Sequence, residues 1–160
     1  MDTAQTMARR RRAFLWVRLL LNPVAKFILR SPLHGLMSSR LMLISFTGRR
    51  SGKHYTTPIS YVQQGQTLLL GVGGPWWKNL RGDASVQVRL RGKTCTGRAR
   101  VWEDEASMTR AYQTILEQNP TQARFMGITA TPDGEPDSHD IQRARQRGAA
   151  VVEIQLDSRS

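Results

Sequence analysis

The chain has 160 residues, 39% of them hydrophobic, with a mean hydropathy of −0.43 and a formal charge of +12. That length fits one domain with a real core, and the composition is that of a folded chain rather than a disordered one. The single Cys95 excludes an intramolecular disulfide, and the scattered His34, His54 and His139 form no zinc-ligand set, so the cytoplasm is the default compartment.

The charge is one-sided. Residues 1–55 carry eleven Arg and Lys against Asp2 alone, which is +10 of the +12. Such a field calls for an anionic partner: a phosphorylated cofactor, an anionic membrane surface or nucleic acid.

Arg9–Arg12 precede the apolar stretch Ala13–Leu21, much as in an export signal, and Arg11-Arg12-Ala13-Phe14-Leu15 resembles a twin-arginine start. Arg18 and Lys26 interrupt the stretch, Pro23 breaks it, and no small-x-small cleavage site follows. The uninterrupted run is too short to span a bilayer. The pattern predicts two short helices, one over 10–21 and a second with Asn22 as cap and Pro23 at its first position. Phe14, Val17, Leu20 and Leu21 share one face of the first, with arginines around it and Trp16 at headgroup depth. Two readings stand: residues 9–30 lie on an anionic membrane, at the inner face of the cell membrane, or these helices cover the core. Residues 1–39 form a basic helical extension and 40–160 the main domain.

Leu41–Thr47 reads as a strand. It runs into Gly48-Arg49-Arg50-Ser51-Gly52-Lys53, where three cations sit between and beside two glycines. Glycines let the backbone turn and approach a ligand closely, and backbone N–H groups with Arg and Lys can converge on a phosphate. The segment is a phosphate cradle or a solvated basic hairpin turn. Tyr55–Val62 is rich in β-formers, with Pro58 marking an edge or a bulge. Gln63–Gln66 is a turn, Thr67–Val72 the returning strand, and Trp76–Leu80 a helical turn after Gly73-Gly74-Pro75. Ser85–Leu90 and Thr94–Trp102 alternate as strands about the tight turn Arg91-Gly92-Lys93. Glu103-Asp104-Glu105 heads a helix over 106–117 whose inward face is Met108, Ala111, Tyr112, Ile115 and Leu116. Asn119-Pro120 ends it. A short helix over 121–127, a polar helix over 138–147 and a strand over 149–156 complete the chain. Six strands with flanking short helices predict a mainly β, α+β fold: a small closed barrel with helices packed outside. The lack of a Gly-x-Gly-x-x-Gly between a strand and a helix argues against a Rossmann domain.

Three blocks in order and spacing resemble the deazaflavin-dependent nitroreductase and quinone reductase family: Leu43-Ile44-Ser45-Phe46-Thr47-Gly48-Arg49-Arg50-Ser51-Gly52-Lys53, Thr57-Pro58-Ile59-Ser60-Tyr61-Val62, and Trp76-Trp77-Lys78-Asn79-Leu80-Arg81-Gly82. The resemblance covers roughly residues 40–102. It implies a six-stranded split β-barrel of the FMN-binding type and a hydride transfer from reduced F420 to a quinone, nitroaromatic or similar small-molecule acceptor. It places the cofactor phosphate and polyglutamate tail on Gly48, Arg49, Arg50, Ser51, Gly52 and Lys53. It places the ring side of the cleft along Tyr55, Thr57 and Pro58 and at Trp77, Asn79 and Leu80. An aromatic ring and an amide suit a planar ligand with a face to stack and an edge to hydrogen-bond, while core packing is the other role open to Trp76 and Trp77. Two positions depart from the family's usual pattern: Tyr55 stands where Arg is common, and Gly71–Pro75 replaces a longer Gly-rich, Lys-containing loop.

With the hydride supplied by the cofactor, no acid–base dyad is required, and a hydroxyl such as Ser60, Tyr61 or Tyr112 would serve a developing oxyanion. FMN is the alternative cofactor. The alternative function is a non-catalytic split-barrel carrier of a lipid, haem or flavin at the membrane surface. Arginines confined to the terminus and one turn, without aromatics interleaved on a strand face, argue against nucleic acid. Split barrels of this type often dimerise, so the resemblance also admits a homodimer.

Overall fold

The computed structural model describes residues 40–157; the helices expected over 10–21 and from Pro23, and with them the 1–39 extension, lie outside the described residues. Seven strands form one antiparallel sheet: β1 (Leu41–Thr47), β2 (His54–Ser60), β3 (Val62–Gln64), β4 (Thr67–Val72), β5 (Ala84–Leu90), β6 (Lys93–Trp102) and β7 (Ala150–Leu156). Their order is β2-β1-β5-β6-β7-β4-β3. A 3-10 turn (Trp76–Leu80) joins β4 to β5. Helices α1 (Glu105–Gln118), α2 (Pro120–Phe125) and α3 (Ser138–Gln146) lie between β6 and β7.

The expected single strand over Tyr55–Val62 is two strands, which accounts for seven in place of six. The break is Tyr61, whose ring is buried and whose N–H donates to the Arg40 carbonyl at 3.2 Å. Gln63 and Gln64 belong to β3, and the turn is Gly65-Gln66, with Gly65 at φ 58°. β2 and β3 are the two edges of the sheet yet are separated by one residue, so the sheet must curl until its edges meet. Among the described residues no hydrogen-bonded ladder joins those edges. The closed cylinder expected from the strand pattern is instead a curled half-barrel. Pro58, mid-way along edge strand β2, has no N–H to offer a further strand.

Alternation along each strand divides the apolar residues between two cores. Met42, Ile44 and Phe46 of β1 point into the barrel with Leu68 and Leu70 of β4 and Val152 and Ile154 of β7. Leu69 and Val151 point outward and are covered by Met108, Tyr112 and Ile115 of α1 and Ile141 of α3. β4 and β7 are therefore buried on both faces, which is why Leu68-Leu69-Leu70 and Val151-Val152 read as continuous apolar runs.

Side chains mark the helix boundaries. Asp104 caps α1 by accepting the Ser107 N–H at 2.8 Å, and that bond holds its carboxyl below the usual range. Asn119 ends α1 through its N–H to the Ile115 carbonyl (2.7 Å) and starts α2 by accepting the Gln122 N–H (3.3 Å), with Pro120 in the first helical position. Asp137 caps α3. Buried Asp140, one turn on, accepts from the Thr129 hydroxyl (2.5 Å) and N–H (3.0 Å) and from Arg143.

The Thr129 hydrogen bonds, first, and Arg143 hold the Asp140 carboxyl below its ordinary range. A depressed carboxylate stabilises the fold above its unfolded pKa, and that stability is lost as pH falls through the native value. Asp140→Asn should be less stable than the parent at pH 7; in urea unfolding the difference should begin to shrink below about pH 4, where the unfolded carboxylate protonates, and vanish only below the lower native value.

Tyr112 is fully buried and its hydroxyl has no partner among the described residues. A Cβ on Gly71 would lie 2.7 Å from that hydroxyl, so the glycine is required by close approach. Gly71→Ala should cost about 1–3 kcal/mol through overpacking. Tyr112→Phe should be neutral or stabilising, because it removes an unpaired buried hydroxyl. The double variant should recover part of the Gly71→Ala loss, read as a coupling in the same unfolding series.

Candidate functional site

The pairing of Thr47 with His54 leaves Gly48–Lys53 as the loop between β1 and β2. The loop closes on itself: the Gly48 N–H donates to the Lys53 carbonyl at 2.8 Å and the Gly52 N–H to the Gly48 carbonyl at 2.9 Å. Gly52 adopts φ 65°, and a Cβ on Gly48 would lie 2.6 Å from Ser51 Oγ and 2.8 Å from the Tyr55 ring. One glycine is needed for its conformation and the other for its lack of a side chain.

Asn79 clamps this loop to the 3-10 turn. Its Oδ1 accepts the Arg49 N–H at 3.0 Å, and its Nδ2 donates to the Trp76 carbonyl at 2.8 Å. Arg49 adds a second tie by donating Nη1 to the Lys78 carbonyl at 3.2 Å. On the other flank, the Ser51 and Tyr55 hydroxyls are hydrogen-bonded at 3.3 Å, and Ser51 Oγ accepts the Lys53 N–H at 3.2 Å.

An aromatic row borders the loop. Phe46 stacks on Tyr55 at 5.7 Å between centroids and on Trp76 at 5.5 Å. Phe46 is buried, Trp76 half-buried, and Tyr55 is 44% exposed. The outer members of the row therefore present ring surface at the mouth of the barrel.

The three loop cations are not equivalent. The Arg49 guanidinium is tied to the turn, whereas the Arg50 and Lys53 side chains are exposed and have no partner among the described residues. Lys78 meets the loop through its carbonyl while its ammonium lies over the Trp77 ring at 5.9 Å, and no acidic residue occurs between Asp2 and Asp83. The N–H groups of Arg50 and Ser51 are likewise without a partner among the described residues. Two cations, two backbone donors and an adjoining aromatic surface suit a phosphate attached to a planar ring, which is the test the deazaflavin F420 must pass.

The structure thus brings together Gly48, Arg49, Arg50, Ser51, Gly52, Lys53, Tyr55 and Asn79. Thr57 lies further along β2 on the Tyr55 side, and Pro58 faces the opposite side beside Leu43. Trp77 and Leu80 are elsewhere: both are buried in the barrel core, and Trp77 Nε1 donates to the Gly148 carbonyl at 3.0 Å. Of the tryptophan pair, the ring at the mouth is Trp76. Phe46, missing from the sequence-derived set, was within reach, since a six-residue loop places it opposite Tyr55. Ser60 and Tyr61 stand at the far end of β2, about 20 Å from the loop at strand rise. Tyr112 is sealed between α1 and the sheet, where burial pushes its hydroxyl pKa up. None of these three hydroxyls reaches the loop.

No group of three His, Cys, Asp or Glu able to hold a metal occurs among the described residues. Cys95 packs against the barrel core. An open cavity of about 550 Å³ lies apart from the loop, lined by Thr129, Asp137, His139, Asp140, Gln142, Arg143 and Gln146. Among the described residues no helix is long and apolar enough to cross a membrane.

The family model for F420H(2)-dependent quinone reductase matches residues 31–131. The chain belongs to that family. It is an oxidoreductase family whose cofactor is F420, and the donor set around Gly48–Lys53 fits that cofactor's phosphate. Comparison with curated proteins gives no match. Among solved structures, an F420-H2 dependent reductase (FDR-A) superposes with a TM-score of 0.50 at 20% identity, over 72% of this chain and 93% of that one. A domain-swapped dimer gives 0.52 at 18% identity over 89% and 98%. The FAD and heme binding protein from Mycobacterium smegmatis gives 0.50 at 15% identity over 80% and 67%. At these identities the likeness establishes the split-barrel fold.

Asn79→Ala should free the Arg49 N–H from its acceptor while leaving the barrel intact. Amide exchange at Arg49, and at Gly52 whose N–H closes the loop, should speed at least tenfold, with exchange in β5 and β7 unchanged; equal acceleration throughout would mean that Asn79 supports the whole fold instead of the loop.

Proposed function

We propose that this reductase transfers a hydride from reduced F420 to a quinone, and that the Gly48–Lys53 loop holds the cofactor by its phosphate. The observation that carries the reading is the clamped loop, with Arg50 and Lys53 exposed at its surface and without a partner among the described residues, beside the Tyr55–Phe46–Trp76 row. Reduced F420, when bound, supplies the hydride. Arg50, Lys53 and the N–H groups of Arg50 and Ser51 bind the phosphate, and Asn79 and Arg49 keep those donors convergent. Tyr55 and Trp76 offer ring surface that orients a planar partner and excludes water from one face. One hydride and one proton convert a quinone to a quinol, and the open mouth of the barrel lets solvent deliver the proton. A nitroaromatic, also planar and electrophilic, is a second acceptor class for the same surface. A homodimer is the assembly we expect, in keeping with the domain-swapped dimer among the similar structures.

Fluorescence titration with oxidised F420 and with FMN tests the reading. The parent should prefer F420. Arg50→Ala combined with Lys53→Ala should weaken F420 binding at least tenfold, about 1.4 kcal/mol, and flatten its salt dependence. Unchanged affinity would remove the loop from the site. Binding without turnover of any quinone or nitroarene would favour a carrier over an enzyme.

A further inference from the structure

The turn Trp76–Leu80 carries Trp76 and Asn79 to the loop, yet little within the turn fixes where it lies. It is a 3-10 turn with no side-chain cap at Pro75. Such turns have poor hydrogen-bond geometry of their own. It hangs between two glycines in left-handed conformations, Gly74 at φ 78° and Gly82 at φ 79°. Leu80 and the Trp77 ring, buried in the barrel core, set its depth. Apolar contacts are non-directional, so they leave the turn free to rock, and rocking would swing the Asn79 amide off the Arg49 N–H.

Two polar ties oppose that motion, one on each side of Asn79. Before it, Trp77 Nε1 donates to the Gly148 carbonyl at 3.0 Å. After it, Arg81 forks onto Glu103, Nε to Oε2 at 3.0 Å and Nη2 to Oε1 at 2.7 Å, and its guanidinium lies over the Trp77 ring at 5.1 Å. Glu103 is itself held: its carbonyl accepts Arg145 Nε of α3 at 2.9 Å, and its neighbour Asp104 caps α1. Both ties therefore run to the C-terminal end of α3. An exposed ion pair contributes little by itself, but a two-bond fork stacked on a ring is defined in direction, and direction is what the Asn79 amide needs.

We infer that Trp77 and the Arg81–Glu103 fork are positioning residues for the Gly48–Lys53 loop and act through Asn79. They aim its amide, which holds the Arg49 backbone and with it the adjacent N–H groups of Arg50 and Ser51. The inference rests on the F420 reading of that loop. The end of α3 thereby bears on cofactor affinity from outside the site.

Glu103→Ala and Trp77→Phe test this, each alone and combined with Asn79→Ala. Glu103→Ala removes the fork at an exposed position outside the turn. Trp77→Phe keeps a ring in the core and removes the Nε1 donor. Each should speed amide exchange at Arg49 at least about threefold, with exchange in β5 and β7 unchanged. Each should weaken F420 binding about three- to tenfold in fluorescence titration and raise its KM, with kcat at saturating F420 within about twofold of the parent. Neither should weaken binding further in the Asn79→Ala background. Should Trp77→Phe loosen the barrel as a whole, Glu103→Ala decides. For Glu103→Ala, unchanged exchange at Arg49, equal acceleration in β5 and β7, or a full additional loss of affinity in the Asn79→Ala background would each overturn the inference. Exchange needs no cofactor, so a parent that fails to bind F420 would remove the proposed function while the Arg49 rates still decide whether the fork aims Asn79.

Discussion

A chain that uses consecutive strands for the two opposite edges of one sheet cannot lie flat. β2 and β3 are separated by Tyr61 alone, and the Tyr61 N–H is fixed to Arg40 at the start of β1. Curling follows from that connectivity. Curling in turn gives the sheet an inside, where Met42, Leu70 and Val152 meet, and it brings the β1–β2 loop alongside the turn between β4 and β5. The Gly48–Lys53 loop inherits its position from this constraint. Asn79 reaches Arg49 across thirty residues of sequence because the curled sheet places their two connections side by side.

Within the site, geometry does more than charge. Of the described cations, many are engaged structurally: Arg49 on the Lys78 carbonyl, Arg81 on Glu103 and over the Trp77 ring, Arg98 on the Asp83 carbonyl, Arg143 on Asp140, Arg145 on Glu105. Their paired acids are already subtracted in the net charge of +12, so what reaches a ligand depends on where the remaining cations sit. What distinguishes Arg50 and Lys53 is that they occupy a loop whose backbone is fixed from both flanks while their side chains are not. Fixing the backbone in advance removes an ordering cost at binding, and leaving the cations unpaired avoids exchanging one ion pair for another.

Much of this was legible in the sequence where local rules act alone. The loop Gly48–Lys53 announced itself through glycines at the positions that need them, and the α1 start through the acidic triplet Glu103-Asp104-Glu105. The helix face Met108, Ala111, Tyr112 and Ile115 followed from its spacing. The errors fall where tertiary contacts decide. Tyr61 looks like one more β-former in a continuous strand, and only its bond to Arg40 and its burial show the corner. Trp77 and Leu80 share a motif with Asn79, but in a 3-10 turn the two residues three apart face the core together while Asn79 faces the loop, so one motif feeds both. Ser60 and Tyr61 followed the cradle in sequence, and strand length carried them to the opposite end of the barrel.

Tyr55 shows how a departure from a family pattern can be absorbed. Where a cation is common, this chain has a ring that stacks on Phe46, touches Gly48 and hydrogen-bonds Ser51. The ring cannot supply charge to a phosphate. It does supply rigidity to the loop from the side that Asn79 does not reach, because Ser51 Oγ also accepts the Lys53 N–H. In the function proposed, charge then falls to Arg50 and Lys53, which flank Ser51 in the same loop. The exchange of an arginine for a tyrosine at this position moves the work from a long flexible cation to two shorter-range constraints, stacking and a hydroxyl pair, whose strength depends little on ionic strength.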